Sequence, residues 1–268
     1  MKKITGYAYV LFALATIAIG IIQIAAKNFN RGLLPVPERL PGRMAMLYTT
    51  ATVLISAGAC LFIRKWRYRA SVVLGFAYLV LFIGVHLFNL LGNLNNPNEW
   101  TASVEVLSLC SGAFIIADMF SYRDNRPIKK ETGLKKIQQV ARYLFSFSLI
   151  VFAILHFKYA EFIATLIPAW IPARVFLALL IGIGFLSSAV SIVIQRFTRV
   201  ATVTLGTMFL SWVFILHLPR ALAKMTDEPE WTSLFVALAF SAISYTIAFL
   251  TTQRNRTFVR RNATADMA

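Results

Sequence analysis

Charge is what this chain of 268 residues has little of. Only 14% of its residues are Asp, Glu, Lys or Arg, while 58% are hydrophobic, and the mean hydropathy is +0.69. A soluble domain needs more charge on its surface, so the composition is that of an integral membrane protein. Cysteine is nearly absent. Cys60 and Cys110 both fall inside apolar runs, with no partner at metal-ligand spacing. They read as buried thiols, and without a Cys-x-x-Cys motif thiol–disulfide exchange by this chain alone is not expected. The sequence has no Gly-rich phosphate loop, no His-Glu-x-x-His, no Cys-x-x-Cys-His and no serine nucleophile elbow. No apolar run carries an arginine ladder, which excludes voltage sensing. The net charge of +16 sits in short clusters between apolar runs. That is the pattern of membrane loops, and it argues against a nucleic-acid partner.

What is present is a repeat. LIPAWIPAR (Leu166 to Arg174) has a cruder copy in VPERLPGR (Val36 to Arg43). A shift of 131 positions carries Pro37, Pro41 and Arg43 onto Pro168, Pro172 and Arg174. The same shift carries Lys27 to Lys158, Gly75 to Gly206, His86 to His217, and Glu99-Trp100-Thr101 to Glu230-Trp231-Thr232. The expected fold is therefore all-α: a polytopic membrane protein with eight transmembrane helices arranged as two parallel four-helix repeats. Residues 1–120 form the first repeat, 121–139 a basic linker, 140–250 the second repeat and 251–268 a loose polar tail. The start resembles a secretory signal, but its counterpart lies in mid-chain near Ala141, so it reads as a retained first span, Ile4 to Ala26. The other spans are expected at about Met44–Ile63, Ala70–Leu91, Ala102–Phe120, Val140–Phe157, Val175–Ile194, Val200–Leu218 and Ser233–Leu250. The segment GLKKIQQVARYLF is expected to begin a helix partly in the membrane interface.

Lysine and arginine set the orientation. Nineteen lie at the termini, the Arg64 and Arg196 turns and the linker through Arg142, against eight on the other side. Both termini should then be cytoplasmic, in a bacterial-type plasma (inner) membrane, with the proline loops outward. An even number of spans per repeat implies a symmetry axis along the membrane normal.

This topology gathers the unusual residues at one depth. His156 and His217 close the fifth and seventh helices, and His86 is the repeat mate of His217. Arg43 and Arg174 begin the second and sixth helices, and Glu105 lies about one turn inside the fourth. Ionisable groups at such positions persist when paired or when they face a polar cavity. Two candidate ligand pockets follow: His156, His217, Arg174, Trp170 and Tyr159 in repeat two, and His86, Arg43 and Glu105 in repeat one. Each histidine could bond a backbone carbonyl, contact a ligand such as a quinone, or ligate metal or haem; no metal site is assigned. His156 has Ala25 opposite it in the repeat. Glu105 should pair with Arg43 or His86, or handle a proton. Arg43 and Arg174 read as helix-start or headgroup anchors, or as anion recognition. Trp100, Trp170 and Trp231 suit an interfacial belt, and Asp118 should pair with the Arg64 cluster.

The run HFKYAEFIATLIPAWIPARVF, the later HLPR and then EWTSLFVALAFSA resemble the DoxX-like membrane proteins. In that family a four-helix unit carries a His-Phe … Pro-x-Trp-x-Pro element after its first helix. The resemblance covers all of repeat two and, more weakly, repeat one, where Ala25-Ala26 replace His-Phe and Arg39 stands at the Trp170 position. Glu105 with LSLCSGAFIIA is similar to the family's fourth helix, and repeat two has Val236 there. The resemblance implies a four-helix fold and a redox association, some relatives being similar to quinone-linked thiosulfate oxidoreductase subunits. Two functions are then expected. One is a redox-associated subunit binding a quinone or similar lipid near the outer leaflet, with a membrane redox partner. The other is a carrier or scaffold binding a solute, a lipid or an extracytoplasmic protein through its outward loops. A purely structural accessory subunit is a third reading.

Overall fold

A computed structural model describes residues 5–124 and 133–265, with side chains to residue 253. The described residues form helices joined by loops, with no strand: α1 (Ala8–Ala25), α2 (Arg43–Cys60), α3 (Arg67–Gly92), α4 (Pro97–Arg123), α5 (Gly133–Lys158), α6 (Ala160–Leu166), α7 (Arg174–Val193), α8 (Thr198–Ala223) and α9 (Glu228–Ala265). A backbone surrounded by hydrocarbon can satisfy its N–H and C=O groups only internally, so long apolar runs become helices. Seven of the helices are long and apolar enough to cross a membrane. The exception among the eight expected spans is α2, where Thr49, Thr50, Thr52 and Ser56 dilute the apolar character. The short α6 lies in what reads from sequence as loop.

Three helix starts repeat at the spacing found in the sequence. Arg43 and Arg174, Arg67 and Thr198, and Pro97 and Glu228 each lie 131 residues apart. Gly42 and Ala173, one residue earlier, both adopt left-handed backbone, φ 72° and φ 51°. Glycine does so freely, whereas alanine is strained there. At the far end of α3 and α8, Phe82–Leu87 and Val213–His217 widen into π-helical turns. In α8 the turn precedes Pro219, which lacks a backbone donor. No proline stands near the turn in α3.

Packing follows the same scheme in both halves. α1 lies on α2 and α5 on α7, while α3 lies on α4 and α8 on α9. Across the halves, α1 packs on α9, α5 on α4, and α4 on α9. The central helices α4 and α9 are consequently buried over 94% and 78% of their most apolar stretches. Gly75 and Gly206 show why their pairing recurs. The Cys110 thiol donates to the Gly75 carbonyl (3.3 Å) and the Ser241 hydroxyl to that of Gly206 (2.8 Å), and the rings of Phe114 and Tyr245 lie flat against the two glycines. Trp100 and Trp231 likewise donate to the Leu94 and Met225 carbonyls.

Several expectations need correction. Residues buried in α1 (Phe12, Thr16, Ile19) match those in α5 (Phe145, Leu149, Phe152) at a spacing of 133, because the chain between α5 and α7 is two residues shorter. Gln23, not Ala25, therefore stands opposite His156. α5 is a single helix from Gly133, and the expected tail continues α9 to Ala265, since it holds no glycine or proline. Asp118 was expected beside the Arg64 cluster, and two of its partners come from α5. It accepts from Lys135 (2.5 Å) and Arg142 (3.2 Å), and the cluster's Arg67 is held by Asp124. The expected linker residues Arg126, Lys129 and Lys130 lie outside the described residues.

Gly75→Ala would place a methyl 2.7–2.8 Å from three ring atoms of Phe114. It should cost about 1–3 kcal/mol, as overpacking does. Gly84→Ala meets nothing within 4 Å and should be neutral or slightly stabilising. Thermal unfolding of the detergent-solubilised protein checks the pair; equal melting temperatures would refute the close approach.

Candidate functional site

The end of the bundle that carries the proline loops is built differently in the two halves. In the first, the loop from Asn28 folds inward, and Phe29, Asn30, Leu33 and Leu34 are buried. Asn30 donates to the Glu228 carboxylate and to the Thr232 hydroxyl (3.1 Å each), and the Arg31 amide donates to the other Glu228 oxygen (3.0 Å). The loop is thus pinned to the start of α9. Arg43 donates to Asn28 and lies over the Phe29 ring at 5.3 Å. It braces its own loop rather than forming the expected pair with Glu105.

Beneath this loop His86 is fully buried and approaches the Leu33 backbone. Neither of its ring nitrogens completes a well-aligned hydrogen bond among the described residues. Glu105 is the one residue between Ala102 and Ser121 that is not fully buried. It makes no ion pair or hydrogen bond with any described residue, so the expected pairing with Arg43 or His86 fails.

The interior of the first half is polar well below that level. The buried Gln23 amide donates to the Leu47 carbonyl (2.8 Å) and the Thr50 hydroxyl (2.6 Å), and its own oxygen has no partner. The buried Tyr78 hydroxyl faces Thr16. α2 packs much more on α1 than on α3, and an apolar groove of about 320 Å³ opens between α2 and α3. Thr49, Thr50, Val53, Phe76 and Val80 line it, so Thr50 joins the groove to Gln23. Sequence reasoning missed Gln23, Thr50 and Tyr78. The available signal was an amide inside the apolar run IIQIAA, which burial would have made costly without a role.

In the second half the same depth is filled by aromatic rings. Phe152, Phe185, Phe209 and Phe240 stack with centroids 5.3–5.9 Å apart, and Phe209 stands where α3 has Tyr78. The His156 ring bonds the carbonyl of Phe152 in its own helix (2.8 Å) and packs edge-on against Phe185 (5.0 Å). His217 is half-buried near Glu230 and Arg220; Glu230 in turn holds Arg220 (2.8 Å) and Lys224 (3.6 Å). Arg174 is exposed and lines an open groove of about 460 Å³ with Glu161, Thr165 and Phe176, without either histidine. Trp170 is 74% exposed, and Tyr159 lies under the Lys158 ammonium at 5.4 Å. The residues expected to form one pocket in repeat two are therefore spread over three environments. Among the described residues no three of His, Cys, Asp and Glu converge on a metal position.

No family model, curated protein or solved structure matches this chain.

Asn30→Ala should release the first loop, because Glu228 and Thr232 both lose a donor. The loss of a buried partner costs about 1–3 kcal/mol, a rise in local opening of roughly five- to 150-fold. Amide hydrogen exchange across residues 28–36 measures this, and unchanged protection would show that the loop is held otherwise.

Proposed function

We propose that this chain is a DoxX-like multi-pass membrane protein that binds a quinone or similar lipid within its first half, as a redox-associated subunit. The observation that carries the reading is the groove between α2 and α3. It is lined mainly by apolar side chains, and Thr50 in its wall accepts from the buried Gln23 amide behind it. An apolar molecule with a carbonyl-bearing head would lay its tail along Val53, Phe76 and Val80. Its head oxygen would take the place of Thr50 as acceptor of the Gln23 amide.

The proposed architecture is two parallel four-helix copies and eight spans, with α2 as the eighth because it packs along α1. The recurring helix starts, helix pairings and thiol- or hydroxyl-to-carbonyl contacts support it. An even number of spans per copy favours an axis along the membrane normal. The excess of lysine and arginine at one end supports cytoplasmic termini in a bacterial-type plasma membrane.

Gln23→Leu combined with Thr50→Val should lower ubiquinone retention by about tenfold, the loss of one buried polar contact. Mass spectrometry of organic extracts from protein incubated with ubiquinone in detergent reads this. Retention equal to wild type would remove the proposed site.

A second reading, a proton-linked carrier, is favoured by one observation: Glu105 reaches accessible space from a buried helix without an ion partner. In vesicles with an imposed proton gradient and no electron donor, the wild type would dissipate the gradient faster than Glu105→Gln. Equal rates for the two proteins and for empty vesicles would eliminate the carrier reading.

A further inference from the structure

At the opposite, basic end of the bundle, α5, α7, α8 and α9 enclose a cavity of about 280 Å³. Its walls carry Arg142, Gln139, Gln195, Thr198 and Thr251, with Ile247 on the apolar side. The Arg142 side chain is only 12% exposed and shares the Asp118 carboxylate with Lys135. One carboxylate thus serves two cations at the cavity's edge.

The equivalent place in the first half explains what this cavity takes; the comparison rests on the internal repeat proposed above. At the spacings already described, Arg67 stands for Thr198, Phe120 for Thr251 and Tyr9 for Arg142. There the space is filled. Arg67 forms a two-pronged ion pair with Asp124, lies 4.7 Å over the Phe120 ring, and that ring meets Tyr9 edge-on at 5.0 Å. The first half supplies both the carboxylate and the aromatic wall from its own chain. In the second half two threonines replace the bulky groups and the cation enters from α5, leaving a space lined by guanidinium, amide and hydroxyl groups.

We propose that this cavity binds a phosphate-bearing anion. The Arg142 guanidinium and the amides of Gln139 and Gln195 suit a ligand with several acceptor oxygens, while the small Thr198 and Thr251 side chains, whose hydroxyls donate to the Ser191 and Ile247 carbonyls, leave room for it. The cavity exceeds the size of a bare phosphate and opens between helices at the basic end, where a membrane presents its headgroups. The phosphate could belong to a phospholipid headgroup or to a free anion, and both would use the same groups.

The test uses the full chain in detergent and two variants. Thr251→Phe fills the cavity with the ring that Phe120 supplies in the first half. Gln195→Leu removes an exposed donor without altering the packing. Native mass spectrometry compares dioleoylphosphatidylglycerol with dioleoylglycerol, which lacks the phosphate. The wild type should hold the phospholipid about tenfold more tightly, the value of a charge-assisted contact, and both variants should lose that preference. In a second arm, inorganic phosphate is added to delipidated protein against chloride at matched ionic strength. A rise in melting temperature seen in the wild type and lost in Thr251→Phe, without phospholipid preference, assigns the site to free phosphate. If the two lipids bind equally and phosphate has no effect, or if neither variant changes the response, the proposal is overturned.

Discussion

The rest of the bundle depends on the contact between α4 and α9. Both are enclosed almost completely, and each also carries the outer helices of both halves. Lipid tails are as apolar as leucine, so burying apolar surface cannot drive such a contact inside a membrane. Close packing and polar contacts between helices must do it. Gly112 of α4 has no side chain where Ile243 of α9 and Phe12 of α1 converge; a Cβ there would lie 2.4 Å from Ile243. Around this axis the Cys110–Gly75 and Ser241–Gly206 contacts attach α3 and α8 in the same way. A thiol and a hydroxyl differ in strength as donors, but both satisfy one carbonyl at one short approach, and that geometry is what has been kept.

On this shared frame the two halves have been filled differently, and the difference is energetic as well as descriptive. The second half is packed with Phe152, Phe185, Phe209 and Phe240, whose rings need no hydrogen-bond partners. The first half holds Thr16, Gln23, Tyr78 and His86, and atoms on all four lack a well-aligned partner. A buried polar group without a partner costs about 1–3 kcal/mol by mutational measures. The second half carries orphan atoms too, on Gln138 and His217, but among the described residues its layer at the depth of Tyr78 is aromatic where that of the first half is polar.

Part of the scaffold was legible in the sequence because one spacing recurs along it: seven of the expected apolar runs are membrane-length helices. Pro37, Pro41, Arg43 and the Glu-Trp-Thr triplet fixed the offset, and the helix starts at Arg43, Arg174, Pro97 and Glu228 fall on it. The site was much less legible. Depth along a helix can be counted from sequence, but rotation about the axis cannot, and rotation decides whether His156 meets a ligand or its own Phe152 carbonyl. The two-residue slip between α1 and α5 shifted the position opposite His156 from Gln23 to Ala25, so the buried amide went unnoticed. Arg43 begins its helix as expected, but its contacts with Asn28 and Phe29 were not legible, because nothing in the loop sequence reveals that Phe29 and Asn30 turn inward.

Phe29, Leu33 and Leu34 close the first half from one end, and Asn30 ties that closure to Glu228 and Thr232 of the other half. His86, at the π-helical turn of α3, lies directly under the Leu33 backbone. This loop walls off that end of the first half. The wall's anchor belongs to α9, which is also the central helix of the bundle. Through Asn30, Glu228 and Thr232 the loop of the first half is tied to the helix around which both halves pack.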